Sequence, residues 1–253
     1  MKLDLSGKTA LITGATGELG RVITRTLASC GADVIIQYRS NDDNAVKLNK
    51  EIHAMGRKAV AVRADVTDMA SVQHMKDTIA AGFSMPDIVV ANAVIQYQWT
   101  SVLEQPLEDY ASQFESCVMQ SVHLAKCFVP EMISKGWGRM IGINTECAMQ
   151  NFPTQSAYVS GKRGMDGVYR VLAKEIGAHG ITVNQVAPGW TISERDRIHG
   201  TERNADYERS VPLGHRGTDQ DIANAVAFLA SDLAAFITGA YLPVCGGNVM
   251  PAI

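Results

Sequence analysis

Tyr158 and Lys162 stand four residues apart in Tyr158-Val159-Ser160-Gly161-Lys162. That separation puts a phenol and an ammonium on one face if the segment is helical, and a helix is what the run onward through Val171-Leu172-Ala173-Lys174-Glu175-Ile176 predicts. The chemistry open to such a pair is proton transfer. A tyrosine acting as a base must fall from a pKa near 10 toward neutrality, about three units or roughly 4 kcal/mol. One unit charge at about 4 Å contributes on the order of 4 kcal/mol at an effective dielectric near 20, so a neighbouring lysine is sufficient. With seven tyrosines and ten lysines in 253 residues, the spacing arises by chance about 0.3 times per chain. An amphipathic phenol at a helix start beside an unrelated surface lysine is the competing reading, and the surrounding sequence must decide.

The first such context is Thr13-Gly14-Ala15-Thr16-Gly17-Glu18-Leu19-Gly20, which follows the strand candidate Thr9-Ala10-Leu11-Ile12 and precedes a helical run from Arg21 to Ser29. A strand-to-helix turn with little side-chain bulk lets backbone N–H groups approach a pyrophosphate, which the helix N-terminus then stabilises. The spacing is G-x-x-G-x-x-G, not the common G-x-G-x-x-G. A tight turn that merely packs helix on sheet is the alternative, but the position in the first βαβ unit points to dinucleotide binding by Gly14, Thr16, Gly17, Glu18, Leu19 and Gly20. The second strand ends at Gln37-Tyr38-Arg39-Ser40. No acidic residue is present there to hold the ribose 2′-hydroxyl of NAD, whereas Arg39 could pair with a 2′-phosphate. NADP is therefore the expected cofactor and NAD the alternative, an exposed arginine at a strand end being the other reading of Arg39. Asp65-Val66 and Asn92-Ala93, after the third and fourth strands, are candidates for edging the adenine and ribose.

The elements that must position these residues alternate. After Thr9–Ile12 come strand candidates at Val34-Ile35-Ile36, Ala59-Val60-Ala61-Val62, Asp87-Ile88-Val89-Val90 and Arg139-Met140-Ile141-Gly142-Ile143. Ile181-Thr182-Val183-Asn184-Gln185-Val186 and Ala240-Tyr241-Leu242-Pro243-Val244 complete the set, with helical stretches between most of them. Runs apolar on both faces fit a sheet covered by helices on each side, and the alternation predicts an α/β fold, a doubly wound parallel sheet of about seven strands. Neither repeat nor linker interrupts residues 1–253, which read as one domain. The stretch 190–212 breaks the rhythm with nine charged residues and little apolar periodicity. Its place after a strand end favours a polar, mobile substrate lid over a solvated insertion.

A net charge of −3 offers no basic surface for a phosphate backbone, so small molecules are the expected partners and nucleic acid is not. No apolar run approaches the roughly 18 residues of a membrane span, and the N-terminus lacks the apolar core of a signal peptide. Five widely spaced cysteines without a CxxC pair fit free thiols in a reducing, cytoplasmic setting better than disulfides or a metal site.

Together these residues resemble the short-chain dehydrogenase/reductase family in its compact form, with a Rossmann-type fold. The likeness runs from the Thr13 to Gly20 turn through Asp65-Val66, Asn92-Ala93, Tyr158 to Lys162 and Val183 to Gly189, on to Ile237-Thr238-Gly239 and Gly246-Gly247. Within the family, Asp221 to Asp232 is most similar to 3-oxoacyl-carrier-protein reductases. The resemblance implies hydride transfer between a nicotinamide and a carbonyl or secondary alcohol, with Tyr158 exchanging the proton and Lys162 lowering its pKa and holding the nicotinamide ribose. It adds Pro188 and Gly189 to the cofactor-binding set and places Thr145 where relatives carry a carbonyl-polarising serine. It also implies a homo-oligomer, a dimer or tetramer joined through the helices holding Cys117 and Tyr158.

Three positions depart from that pattern. Cys117 occupies the place of an asparagine that in relatives supports a water chain from the lysine to solvent, and a thiol is a poor substitute for an amide. Val94 ends a run that is usually Asn-Asn-Ala-Gly, and Glu18 stands where the compact family has a glycine, so a carboxylate near the pyrophosphate must point outward. Cys117 and Val94 motivate an alternative function, a catalytically impaired nucleotide-binding or sensor protein. Gln96, Tyr97, Trp99, Met149, Gln150, Phe152 and Trp190 are expected around the pocket mouth, compatible with a small polar substrate such as a polyol or sugar acid, or with an acyl thioester.

Overall fold

The computed structural model describes residues 3–251. The chain runs β1 (Thr9–Ile12), α1 (Glu18–Ser29), β2 (Asp33–Tyr38), α2 (Asp42–Ala54), β3 (Ala59–Arg63), α3 (Met69–Gly82) and β4 (Ile88–Ala91). It continues through α4 (Leu107–Gln113), a π-helical segment (Phe114–Met119), α5 (Gln120–Lys135), β5 (Gly138–Ile143), α6 (Cys147–Gln150) and α7 (Ser156–Ile176). β6 (Ile181–Pro188), α8 (Glu194–His199), α9 (Ala205–Ser210), α10 (Asp219–Ala230) and β7 (Tyr241–Val244) complete it.

All seven strands pair in parallel in the order β3-β2-β1-β4-β5-β6-β7. This is the expected doubly wound, Rossmann-type sheet. The chain steps outward from β1 to β3 and then returns to pair β4 with β1, so the winding reverses there and leaves a crevice above the strand carboxyl ends. Helices cover both faces, and each face has its own apolar cluster. One joins α1 and α10 residues such as Ile23, Leu27, Val226 and Ala230 to Ile12 and Val186. The other joins α3, α5 and α7 residues such as Met75, Phe128 and Tyr169 to Leu11 and Val183. The central strands β1, β4 and β5 are buried throughout, while β3 and β7 are only half-buried because they form the sheet margins.

α1 begins at Glu18, three residues ahead of the sequence expectation, which brings the glycine turn directly onto the helix N-terminus. Residues 190–212 are more ordered than their composition suggests. Ser193 and Asp196 form a reciprocal capping box that starts α8, and Asn204 caps α9. Arg216, buried beneath, donates to the carbonyls of Trp190, Thr191, Thr201 and Glu202 at 2.9–3.1 Å and lies 4.8 Å from the Trp190 ring. A charge buried against four carbonyls and an aromatic face holds the start of the segment to its middle.

Candidate active site

Two adjoining pockets open at the carboxyl ends of the strands. The larger, about 860 Å³, extends from the glycine turn across the ends of β2, β3 and β4 to Tyr158 and Lys162. The second, about 640 Å³, lies beyond Tyr158 under Trp190 and Tyr207.

The floor of the first cleft is a close contact of backbone with backbone. Gly14 has φ +59°, and a Cβ on Gly20 would fall 2.2 Å from the Gly14 carbonyl oxygen, so no larger residue fits. Gly17 caps α1 without any side chain, leaving the first-turn N–H groups open to an anion. The turn is pinned from three sides. Gln37, fully buried, accepts from the Gly14 amide at 2.8 Å and donates to the Ala64 carbonyl at 2.7 Å. Asn92 donates to the carbonyls of Thr13 and Gly14. The Thr13 hydroxyl donates to Gln120 at 2.6 Å and accepts from the Asn92 and Ala93 amides. The Glu18 carboxylate is drawn away from the turn by Arg21 at 2.9 Å and the Arg195 amide at 3.1 Å, while Arg21 also pairs with Glu194 at 2.8 Å, tying α1 to α8. A pyrophosphate therefore fits this turn without meeting an unpaired carboxylate.

Thr16, Leu19, Val66, Pro188 and Gly189 line the same cleft. Arg39 stands at its far end, largely exposed and 4.0 Å from Asp65. Burial pushes the Asp65 carboxyl up, but hydrogen bonds from the Thr67 hydroxyl and amide, with the Arg39 charge, outweigh it and hold the group below the usual range.

Tyr158 sits in the first turns of α7, where Trp99 stacks on its ring with centroids 5.9 Å apart and the Tyr97 hydroxyl accepts its amide hydrogen at 2.7 Å. Lys162 is buried; its ammonium donates to the Ile143 carbonyl at 2.6 Å and lies 5.7 Å from the centroid of the Tyr158 ring. Burial raises the phenol well above its ordinary range, with Cys147 adding to the rise and the Thr145 hydroxyl opposing it. Thr145 is fixed through its backbone. Its amide donates to Asn144 Oδ1 at 2.9 Å and its carbonyl accepts from the Tyr241 hydroxyl. The hydroxyl accepts from the Cys147 amide at 3.2 Å.

Every candidate from the sequence lines the first cleft except Cys117, whose side chain is packed in the core formed with α3, α5 and α7. Its carbonyl accepts from Ser121 at 2.7 Å, within the π-helical segment, and its neighbour Ser116 faces the cleft instead. Of the residues expected at the pocket mouth, Gln96, Tyr97, Trp99, Gln150, Phe152 and Trp190 line the second pocket. Met149 does not, because its position on α6 leaves the side chain on the exposed side. Polar residues that went unpredicted include Gln37, Asn144 and Glu146. Each stands in or just after an apolar strand, where a polar side chain needs a reason to be buried.

The likeness to known proteins is end to end. The profile of a family described as Enoyl-(Acyl carrier protein) reductase matches residues 14–248. The 3-oxoacyl-(acyl-carrier-protein) reductase FabG of Escherichia coli (strain K12) is 36% identical over 98% of this chain and 100% of its own. The L-rhamnose 1-dehydrogenase (NAD(P)(+)) of Sphingomonas sp. (strain SKA58) is 33% identical over 98% of each. A solved blue fluorescent protein from a metagenomic library, in complex with NADPH, superposes with a TM-score of 0.89 at 33% identity, covering 98% of this chain and 100% of that one.

Proposed function

Because the chain belongs to the short-chain dehydrogenase/reductase family, we propose that Tyr158, Thr145 and Lys162 move the proton in an NAD(P)-dependent interconversion of a secondary alcohol and a carbonyl. The protein is an oxidoreductase of that class, and its cofactor is NADP or NAD. The observation that carries the assignment of roles is that Tyr158 and Thr145 line both pockets, so a substrate in the second meets them beside the cleft that fits a dinucleotide.

The glycine turn and the α1 N-terminus would hold the pyrophosphate of a nicotinamide cofactor, which when bound would supply or accept a hydride. The chain's own residues do the rest. The open first-turn amides of α1 would hold the diphosphate, and exposed Arg39 would be available to the 2′-phosphate that distinguishes NADP. Tyr158 gives its phenolic proton to a carbonyl oxygen in reduction and takes it back in oxidation. The Thr145 hydroxyl polarises the same oxygen. The Lys162 ammonium, fixed on the Ile143 carbonyl, stabilises the phenolate that reduction leaves. Residues 190–212 act as the substrate lid of a single dinucleotide-binding domain spanning 1–253, with Trp190 and Tyr207 over the reacting groups. The reading is supported by Arg216, which ties the start and the middle of that segment to the body.

No helix among the described residues is long and apolar enough to cross a membrane. A cytoplasmic setting is supported by five free cysteines. A homo-oligomer, dimer or tetramer, is supported by exposed Val171 on α7 and Phe236 before β7. Size-exclusion chromatography with light scattering tests the assembly. For the reaction, purified protein mixed with NADP or NAD and a panel of alcohols, or the reduced nucleotides and carbonyls, must change nicotinamide absorbance. No change across the panel refutes the oxidoreductase reading.

A further inference from the structure

Glu146 follows Thr145 in sequence and is 3% exposed, yet it lines the second pocket. One carboxylate oxygen accepts from the Tyr207 hydroxyl at 2.8 Å and the other from the Asn248 amide at 3.1 Å. A carboxylate offers about four acceptor sites, so these donors, with the Trp190 amide beside them, do not exhaust it. Gln150 and Gln155 line the same pocket; their Oε1 atoms have no hydrogen-bond partner and are sealed from solvent in this side-chain arrangement. Buried carbonyl oxygens without donors cost free energy unless a ligand or water satisfies them. The opposite wall is aromatic, with Trp99, Phe152 and Trp190 each roughly half exposed. Among its described lining residues the pocket has no lysine, arginine or histidine.

We propose that Glu146, Gln150 and Gln155 make this a pocket for neutral polyhydroxylated substrates, sugars or polyols, and that Glu146 is the residue that excludes anionic ones. The proposal rests on the oxidoreductase reading above. Hydroxyl groups are donors that the remaining lone pairs of Glu146 and, after rotation of their side chains, the amide oxygens of Gln150 and Gln155 can accept, and the apolar C–H face of a sugar ring suits the aromatic residues of the lining. A carboxylate-bearing substrate would meet an acidic side chain with no cation to offset it. The acyl chain of a thioester supplies no donors to the two glutamine oxygens, its amide and hydroxyl groups lying in the pantetheine arm beyond the sulfur. Glu146 also ties recognition to the lid, because Tyr207, which donates to it, accepts the Trp190 amide at 2.8 Å.

The test is steady-state kinetics of the intact protein with NADP and NAD in alkaline buffer. The panel holds pentoses, hexoses and their alditols, the matching aldonates, and cyclohexanol. Acetoacetyl-CoA is assayed with the reduced nucleotides. The expected result is kcat/KM for at least one neutral sugar or alditol about tenfold or more above its aldonate and above the thioester. Glu146→Gln is expected to bring the neutral-to-anionic ratio toward one, through KM more than kcat. Turnover of cyclohexanol, thioester or aldonates with none of neutral sugars overturns this inference and leaves the oxidoreductase reading standing. A ratio unchanged in Glu146→Gln overturns the role of Glu146, and no turnover of any compound overturns both.

Discussion

The side-chain amide of Asn144 donates to the main-chain carbonyl of Lys162 at 3.0 Å, joining the end of β5 to the second turn of α7. The same amide donates to Gln185 Oε1 at 2.6 Å, and its oxygen accepts the Thr145 amide. One buried residue thus sets the distance between the strand that carries Thr145 and the helix that carries Tyr158 and Lys162. Asn144→Ala leaves the Gln185 oxygen and the Thr145 amide without these partners and releases the Lys162 carbonyl, which keeps only its helix bond. We expect a loss of about 1–3 kcal/mol in denaturant unfolding and a fall in kcat of about tenfold to a hundredfold from misplacement. Unchanged kcat in a folded variant contradicts the positioning role.

Gly20→Ala puts a methyl group against the Gly14 carbonyl and the Ala15 Cα, both backbone, so neither can yield by rotating a side chain. The turn must shift, at a cost of about 1–3 kcal/mol. Calorimetric titration with NADP is expected to show affinity reduced by about tenfold or more, with the phosphate-binding amides displaced. Wild-type affinity would mean that the nucleotide does not use this turn.

Arg39 is mostly exposed and only loosely paired with Asp65, so it is available to a phosphate. Arg39→Ala is expected to raise KM for NADP by about tenfold, the scale of one lost charge-assisted hydrogen bond, while KM for NAD moves by less than about twofold. An equal change for both nucleotides removes Arg39 from cofactor selection.

Burial holds the Tyr158 proton on the phenol, above the ordinary tyrosine range. Oxidation needs the phenolate, and its fraction increases with pH while pH stays below that raised pKa. The logarithm of kcat/KM for oxidation is therefore expected to climb with pH at a slope near one. Reduction uses the phenol, already the dominant form at neutral pH, and its kcat/KM should be flat from neutral pH upward until the phenol titrates. A flat oxidation profile across the alkaline range points to another base.

The parallel sheet and the glycine turn were legible in the sequence because their signals are local. Thr9–Ile12, the glycines and the helix after them are consecutive, and a parallel sheet follows from alternation. Tyr158 and Lys162 were legible for the same reason. What escaped was the polar wiring between distant segments. Gln37 reaches Gly14 and Ala64, Asn144 reaches Lys162 and Gln185, and Glu146 reaches Tyr207 and Asn248, at separations that no periodicity encodes. Residues 190–212 read as polar loop because α8 and α9 have six residues each, too few to display an apolar stripe, and are held by caps and by Arg216 rather than by a core. Cys117 was placed by spacing, which does not say that its thiol is buried among core residues, within electrostatic reach of Tyr158, while Ser116 lines the cleft.

The most direct measurement is single-turnover hydride transfer by Tyr158→Phe, with NADP(H) affinity measured on the same preparation. Removing one hydroxyl leaves the ring to stack on Trp99 and the backbone to bond Tyr97, so nucleotide binding should be retained. Turnover should fall by about a hundredfold or more, the range of general acid–base catalysis. Full turnover in the phenylalanine variant would contradict the assignment of the proton to Tyr158.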